Sequence, residues 1–128
     1  MAQTLIHLDT SFLIRVARAT PVESLKLKDW LQKGVKVSTS AIAWAEFLCG
    51  PFTRLELELA RRIVGEAELF VAEDSAIAAE LFNQAGRRRG SLIDCMIGAT
   101  AVRLGASLAT ANAKDFRRFR GLRVVSGQ

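Results

Sequence analysis

Five short apolar runs organise this chain: Thr4–Leu8, Val35–Ser38, Glu68–Val71, Ser107–Ala109 and Arg123–Val125. Longer helical patterns separate them. The runs lack the apolar–polar alternation of a half-exposed strand, as strands buried on both faces do. Strands alternating with helices fold into a parallel sheet with helices on both faces. The expected fold is therefore α/β, a three-layer α/β/α domain with a parallel sheet of about five strands. In such sheets ligands bind outside the carboxyl ends of the strands, so the residues just after each run carry the most information.

The helical patterns bring their own punctuation. One starts at Thr10. A second opens TPVE, with Thr20 as cap, Pro21 at the first helical position and Glu23 closing a capping box. Ile42, Trp44, Phe47 and Leu48 mark a third. Leu55, Leu59 and Ile63 stripe a fourth, with Glu58 and Arg62 one turn apart on its outer side. A fifth runs from about Ser75 to Arg88, a sixth over Ser91–Leu104, and a short turn comes after Asn112.

There is no internal repeat and no linker-like stretch, so residues 1–128 read as one domain. Half of the residues are hydrophobic, enough for a real core. No apolar run nears the roughly 20 residues of a membrane span, and the start MAQTLIHLD lacks the pattern of a signal peptide; the expectation is a cytoplasmic protein with no membrane contact. Cys49 and Cys95 sit in apolar helical patterns and read as reduced, buried thiols. With His7 the single histidine, a zinc site of Cys and His ligands cannot be assembled; His7 reads as a packed strand residue. A net charge of +5 suits a polyanionic partner.

Four acids stand out. Asp9 directly follows the first run, and a carboxylate there is costly unless something binds it; it also makes a good N-cap, a task that Thr10 and Ser11 can share. Asp94 lies in SLID, a capping-box pattern. Asp115 lies in NAKDF, where Asn112 can cap and Asp115 would occupy the first turn. Glu46 has no such role: it is the one charge in AIAWAEFLCG, a segment apolar enough to be buried all round. A lone buried Glu can be protonated, but a cluster of all four explains more. Two carboxylates 4 Å apart repel by ~4 kcal/mol at an effective dielectric of about 20. No Lys or Arg stands in a strand-end position to offset a cluster, whereas a hard divalent cation, Mg²⁺ or Mn²⁺, would.

LDTSFLI, the isolated Glu of WAEFLCG, SLIDCMIGATA and ATANAKDF together resemble, in order and spacing over essentially the whole chain, the acidic motifs of PIN-domain ribonucleases. Length and the last two motifs are most similar to VapC-type toxins of bacterial or archaeal toxin–antitoxin pairs. The resemblance implies a PIN-like five-stranded fold and a metal-dependent endoribonuclease that hydrolyses RNA phosphodiester bonds. It also implies a homodimer held by a VapB-like antitoxin. Asp9, Glu46, Asp94 and Asp115 correspond to the family's acidic quartet, as catalytic residues and ligands of Mg²⁺ or Mn²⁺. Thr10 or Ser11 matches the hydroxyl after the first acid, and Thr110 and Asn112 match polar positions behind the ligands.

RNA needs cations to hold it. GRRRG (Arg87, Arg88, Arg89) and the RRFRGLR stretch (Arg117, Arg118, Arg120, Arg123) are the candidates; each Arg taken singly is as readily a solvated surface residue, or part of a seat for an acidic antitoxin tail. Two rivals fit poorly. An aspartyl-phosphate phosphatase needs a second Asp where Ser11 stands, and a receiver domain needs acids before Asp9, where IHL stands. The remaining alternative is a non-catalytic RNA- or protein-binding PIN-like domain, in which four converging charges would only destabilise.

Overall fold

The computed structural model describes residues 4–87 and 91–126. Four parallel strands, β1 (Leu5–Leu8), β2 (Lys36–Ser38), β3 (Ser107–Thr110) and β4 (Val124–Ser126), pair in the order β2-β1-β3-β4. The helices are α1 (Thr10–Ala17), α2 (Pro21–Gln32), α3 (Ala41–Leu48), α4 (Arg54–Val64), α5 (Ala72–Gln84) and α6 (Leu92–Leu104), and a short 3-10 turn spans Ala113–Asp115. Helix α1 packs on α2, α3, α4 and β3; α5 packs on α6, and α6 on β3 and α3. Leu8, Phe12, Leu13, Phe47, Ile97 and Leu108 are the large fully buried apolar side chains at the centre of the core.

The run Glu68–Val71 is not a strand. It makes a single parallel bridge, Ser40 to Glu68. Beyond it the backbone groups a ladder would use are already taken: Arg103 Nη2 donates to the Leu69 carbonyl at 3.1 Å, and the Val71 N–H donates to Asp74 at 3.1 Å. Asp74 is fully buried and also accepts from Arg103 Nε and, at 3.0 Å, from the Thr100 hydroxyl. This network ties the start of α5 to α6.

Several local expectations are corrected. Of the α4 stripe, Leu55, 77% exposed, and Leu59 face outward, whereas Ile63 packs half-buried against the core, which Ala60 and Val64 also face. Glu58 pairs with Arg54 at 3.7 Å rather than with Arg62. Helix α5 starts and stops earlier than expected, ended by Gly86 and Arg87 in left-handed conformations. The capping box of α2 does not form: Thr20 makes no side-chain cap bond, and Glu23 is buried instead. Cys49 is exposed at the end of α3, whereas Cys95 is buried and its thiol is pushed up by burial. His7 is packed in β1 with neither ring nitrogen hydrogen-bonded to any of the described residues, and burial, with Arg103 and Lys36, lowers its pKa to about 4.

Candidate active site

Because all strands are parallel, the segments that leave their carboxyl ends gather along one edge of the sheet. Asp9 comes directly after β1, Ser40 and α3 after β2, and Ala111, Asn112 and the 3-10 turn after β3. Helix α6 ends where β3 begins, so its first turn, carrying Asp94, lies back at this same edge.

Asp9 is buried and does cap α1, Oδ1 accepting from the Phe12 N–H at 2.9 Å. Capping uses only part of its capacity. The same oxygen accepts from the Ser11 hydroxyl at 2.7 Å, and Oδ2 accepts from the Thr110 hydroxyl. Thr110 is itself held by the Asn112 N–H, and Ser11 by the Ala111 N–H, both at 2.9 Å. Burial raises the Asp9 pKa against these donors, and the charge of Glu46 raises it further. Of the two hydroxyls left open by sequence, both are used: Ser11 holds Asp9, and Thr10 donates to Glu46 Oε1 at 2.6 Å.

Glu46 is exposed, not buried. Only Ala43 and Phe47 of α3 are buried, because this short helix lies at the surface with Ala45, Leu48 and Cys49 outward. Asp94 makes no capping box either: Ser91 makes no side-chain cap bond and instead contacts the Cys95 thiol. What Asp94 shows is charge. Burial, then the charges of Asp115, Glu46 and Asp9, push its pKa up to about 6 against the pull of Arg118. Asp115 sits half-buried in the 3-10 turn, and Asn112 caps nothing with its side chain.

The four acids therefore share one electrostatic neighbourhood, yet among the described residues no three Asp, Glu, His or Cys side chains stand close enough to hold one ion. The two facts agree, because Coulomb repulsion acts over several ångströms whereas oxygens ligate Mg²⁺ at about 2.0–2.1 Å. Asp9 and Glu46 are each turned onto hydroxyls. The donor set, carboxylates supported by hydroxyls, suits a hard cation, and the surplus negative charge felt by Asp94 is what such a cation relieves.

Arg118 corrects the expectation that no cation serves the cluster. Its charge reaches Asp94, its Nε and Nη2 are buried with no hydrogen-bond partner among the described residues, and it lies 5.3 Å from the Phe119 ring centroid. The other arginines divide. Arg117 and Arg120 are exposed, and Arg123 donates to the Gly105 carbonyl at 3.1 Å. Arg87 is exposed but donates to Asn83 and lies over Phe82; Arg88 and Arg89 fall outside the described residues. Sequence reasoning missed Arg15, Glu23 and Lys114, which line a cleft of about 410 Å³ with Asn112, Asp115 and Arg117. No spacing pattern links those three residues; only the fold does.

The PIN domain family model matches residues 6–122, and the chain belongs to that family. Among solved structures it is similar to a chain of VapBC2 from Rickettsia felis, bound to a DNA fragment from its promoter. That match has a TM-score of 0.80 at 22% identity, over 96% of this chain and 98% of that one. A chain of DNA-bound VapBC from Salmonella typhimurium matches with a TM-score of 0.74 at 18% identity, over 99% and 100% of the two chains. A toxin–antitoxin complex from Klebsiella pneumoniae gives 0.74 at 23%, over 98% of each chain. No curated protein matches by sequence. Among the described residues no helix is long and apolar enough to cross a membrane.

Proposed function

We propose that this PIN domain is a metal-dependent endoribonuclease, using Mg²⁺ or Mn²⁺, and the toxin of a VapBC-type toxin–antitoxin pair. One arrangement supports the nuclease reading: Asp9 directly after β1, Glu46 bound by the neighbouring Thr10 hydroxyl, Asp94 in the first turn of α6 and Asp115 in the 3-10 turn after β3. Burial and the charges of the other three raise the Asp94 carboxyl to about 6. In this reading acids drawn from four separate parts of the chain serve one edge of the sheet, and capping accounts for Asp9 alone. The toxin reading is supported by the structural neighbours, which include VapBC and other toxin–antitoxin complexes. A VapB-like antitoxin and a second copy of the chain are its partners in this reading.

Asp9, Glu46, Asp94 and Asp115 would hold the ion. When bound, it would make the attacking water more acidic and neutralise the leaving oxygen. The chain's own residues do the rest. Ser11 and Thr110 aim Asp9, Thr10 aims Glu46, and Asp94 or Asp115 orients the attacking water. Arg118 limits the repulsion on Asp94 before the ion arrives.

Cleavage of a single-stranded RNA by the purified protein, with Mg²⁺ or Mn²⁺ against EDTA, tests the proposal. RNA bound but never cut, with either ion, would favour a non-catalytic binding domain.

A further inference from the structure

Arg15 stands in the last turn of α1 and Glu23 in the first turn of α2, two helices that pack on each other. Their side chains form an ion pair, Arg15 Nη1 to Glu23 Oε1 at 3.8 Å, which is too long for a hydrogen bond. The two ends of the pair differ. Glu23 is 4% exposed, and its Oε1 is buried with no hydrogen-bond partner among the described residues, whereas the Arg15 side chain is 49% exposed. An acid in the first turn of a helix benefits from the dipole without being buried, and an ion pair in solvent adds little to stability. Neither accounts for a buried carboxylate set against an exposed guanidinium. A fixed anion beside a movable cation holds that cation in place.

Both residues line the cleft of about 410 Å³ at the carboxyl edge of the sheet, together with Asn112, Lys114, Asp115 and Arg117. Lys114 and Arg117 are exposed, and neither has an ion-pair partner among the described residues. With Arg15 they make three cations in one cleft. A guanidinium presents five donors, so an edge turned to Glu23 leaves others for a phosphate, which Arg binds as a fork. Asp115 belongs both to this cleft and to the acids that act on Asp94. Those acids repel phosphate, so a strand that passes them needs positive charge close by.

We propose that this cleft seats the backbone of the RNA substrate, with Arg15, Lys114 and Arg117 on phosphates and Glu23 as a positioning residue that acts through Arg15. The inference rests on the ribonuclease reading and deepens it by naming the path along which the strand reaches Asp115. It needs the sugar–phosphate backbone alone and carries no base preference.

The test is fluorescence anisotropy of a short single-stranded RNA across a salt series in EDTA, where binding is seen without cleavage. Arg15→Ala, Lys114→Ala and Arg117→Ala should each weaken binding roughly threefold or more at low salt and lower the log–log slope by about 0.7. Arg62→Ala, an equal loss of charge on the exposed side of α4 and outside the cleft, should change affinity less than about twofold. Glu23→Gln separates positioning from plain charge. If net charge alone counts, removing an anion beside RNA tightens binding. Loss of the positioning residue should instead weaken it by roughly threefold, and Glu23→Gln should bring no further loss once Arg15 is replaced by Ala. Arg15→Lys keeps the charge and loses the fork, so it should weaken binding nearly as much as Arg15→Ala; it serves where Glu23→Gln melts early. Cleft variants that bind as wild type does, or lose no more than Arg62→Ala, overturn the subsite. Unchanged or tighter binding in folded Glu23→Gln overturns the role of Glu23. Cleavage in Mg²⁺ by a protein whose RNA binding ignores Arg15 overturns the subsite and leaves the nuclease reading standing. The predicted binding pattern with no RNA cut supports the subsite and counts against the nuclease reading. An acidic peptide held by the three cations, with RNA binding indifferent to them, overturns the subsite and gives the cleft to a protein partner.

Discussion

The Thr110 hydroxyl at the end of β3 donates to the Asp9 carboxylate at the end of β1, so the two central strands are joined at the candidate active site by a side-chain bond. Thr110 can do this because the Asn112 N–H occupies its other side and orients it. Thr110→Val should remove the bond at nearly constant volume. Hydrogen bonds to charged groups contribute ~1.5–3 kcal/mol, so thermal or denaturant unfolding should show a loss of that order. Thr110→Ser, which keeps the hydroxyl, should lose less than half of it.

Asp9 and Asp94 should respond in opposite directions when their charge or length is removed. Asp9→Ala takes away a formed N-cap and should cost about 1–2 kcal/mol. Asp94 caps nothing and carries the repulsion of three acids, so Asp94→Asn should leave stability unchanged or raise it by up to about 1 kcal/mol after solvent screening. Melting curves of the metal-free protein at pH 7 compare the two.

Asp94 also sets a pH dependence. Its folded-state pKa, about 6, lies above the ordinary value of 3.8. The folded protein therefore binds this proton more tightly than the unfolded chain, and the charge is destabilising at pH above about 6. That penalty is relieved as pH falls from about 6 towards 4. Metal-free wild type should show this relief in its stability between those pH values, and Asp94→Asn should lack it. An identical slope in both proteins would place the proton elsewhere.

The Asp74–Arg103 pair should dominate the stability of the α5–α6 side. Asp74 is fully buried, and Arg103 holds its carboxyl below the usual carboxylate range. Arg103→Met would leave that charge unpaired and free the Leu69 carbonyl, a loss of about 3–5 kcal/mol. Asp74→Asn with Arg103→Met together should cost less than Arg103→Met alone, as read by denaturant midpoints.

How far the sequence revealed this protein depends on the range of the physics involved. Four of the five strand positions were legible because a short apolar run between helical patterns leaves a local mark, even in β4, which is only half-buried. Glu68–Val71 carries the same mark, but Asp74 and Arg103 claim its backbone groups, and Arg103 is more than 30 residues away. The four acids were legible as departures from local pattern, Glu46 for a partly mistaken reason: an apolar helix need not be interior, and α3 is largely at the surface. Arg118 was not legible as a counter-charge. Its neighbours in RRFRGLR look alike, and only the fold distinguishes it, with its Nε and Nη2 buried and its guanidinium over the Phe119 ring. Glu23 was misread because a capping box depends on three or four residues, whereas its burial depends on how α2 meets α1.

If Asp9, Glu46, Asp94 and Asp115 together cut RNA with the help of a divalent ion, no one of them is dispensable. The most direct measurement is cleavage of one single-stranded RNA by wild type and by Asp9→Asn, Glu46→Gln, Asp94→Asn and Asp115→Asn, with Mg²⁺ or Mn²⁺ and then with EDTA. RNA binding in EDTA is measured in parallel. Wild type should cut only with the ion, and each variant should lose about 100-fold or more in rate while binding RNA as well as wild type or better. Cleavage that survives EDTA, or that persists near the wild-type rate in any folded variant of the four, would contradict this mechanism.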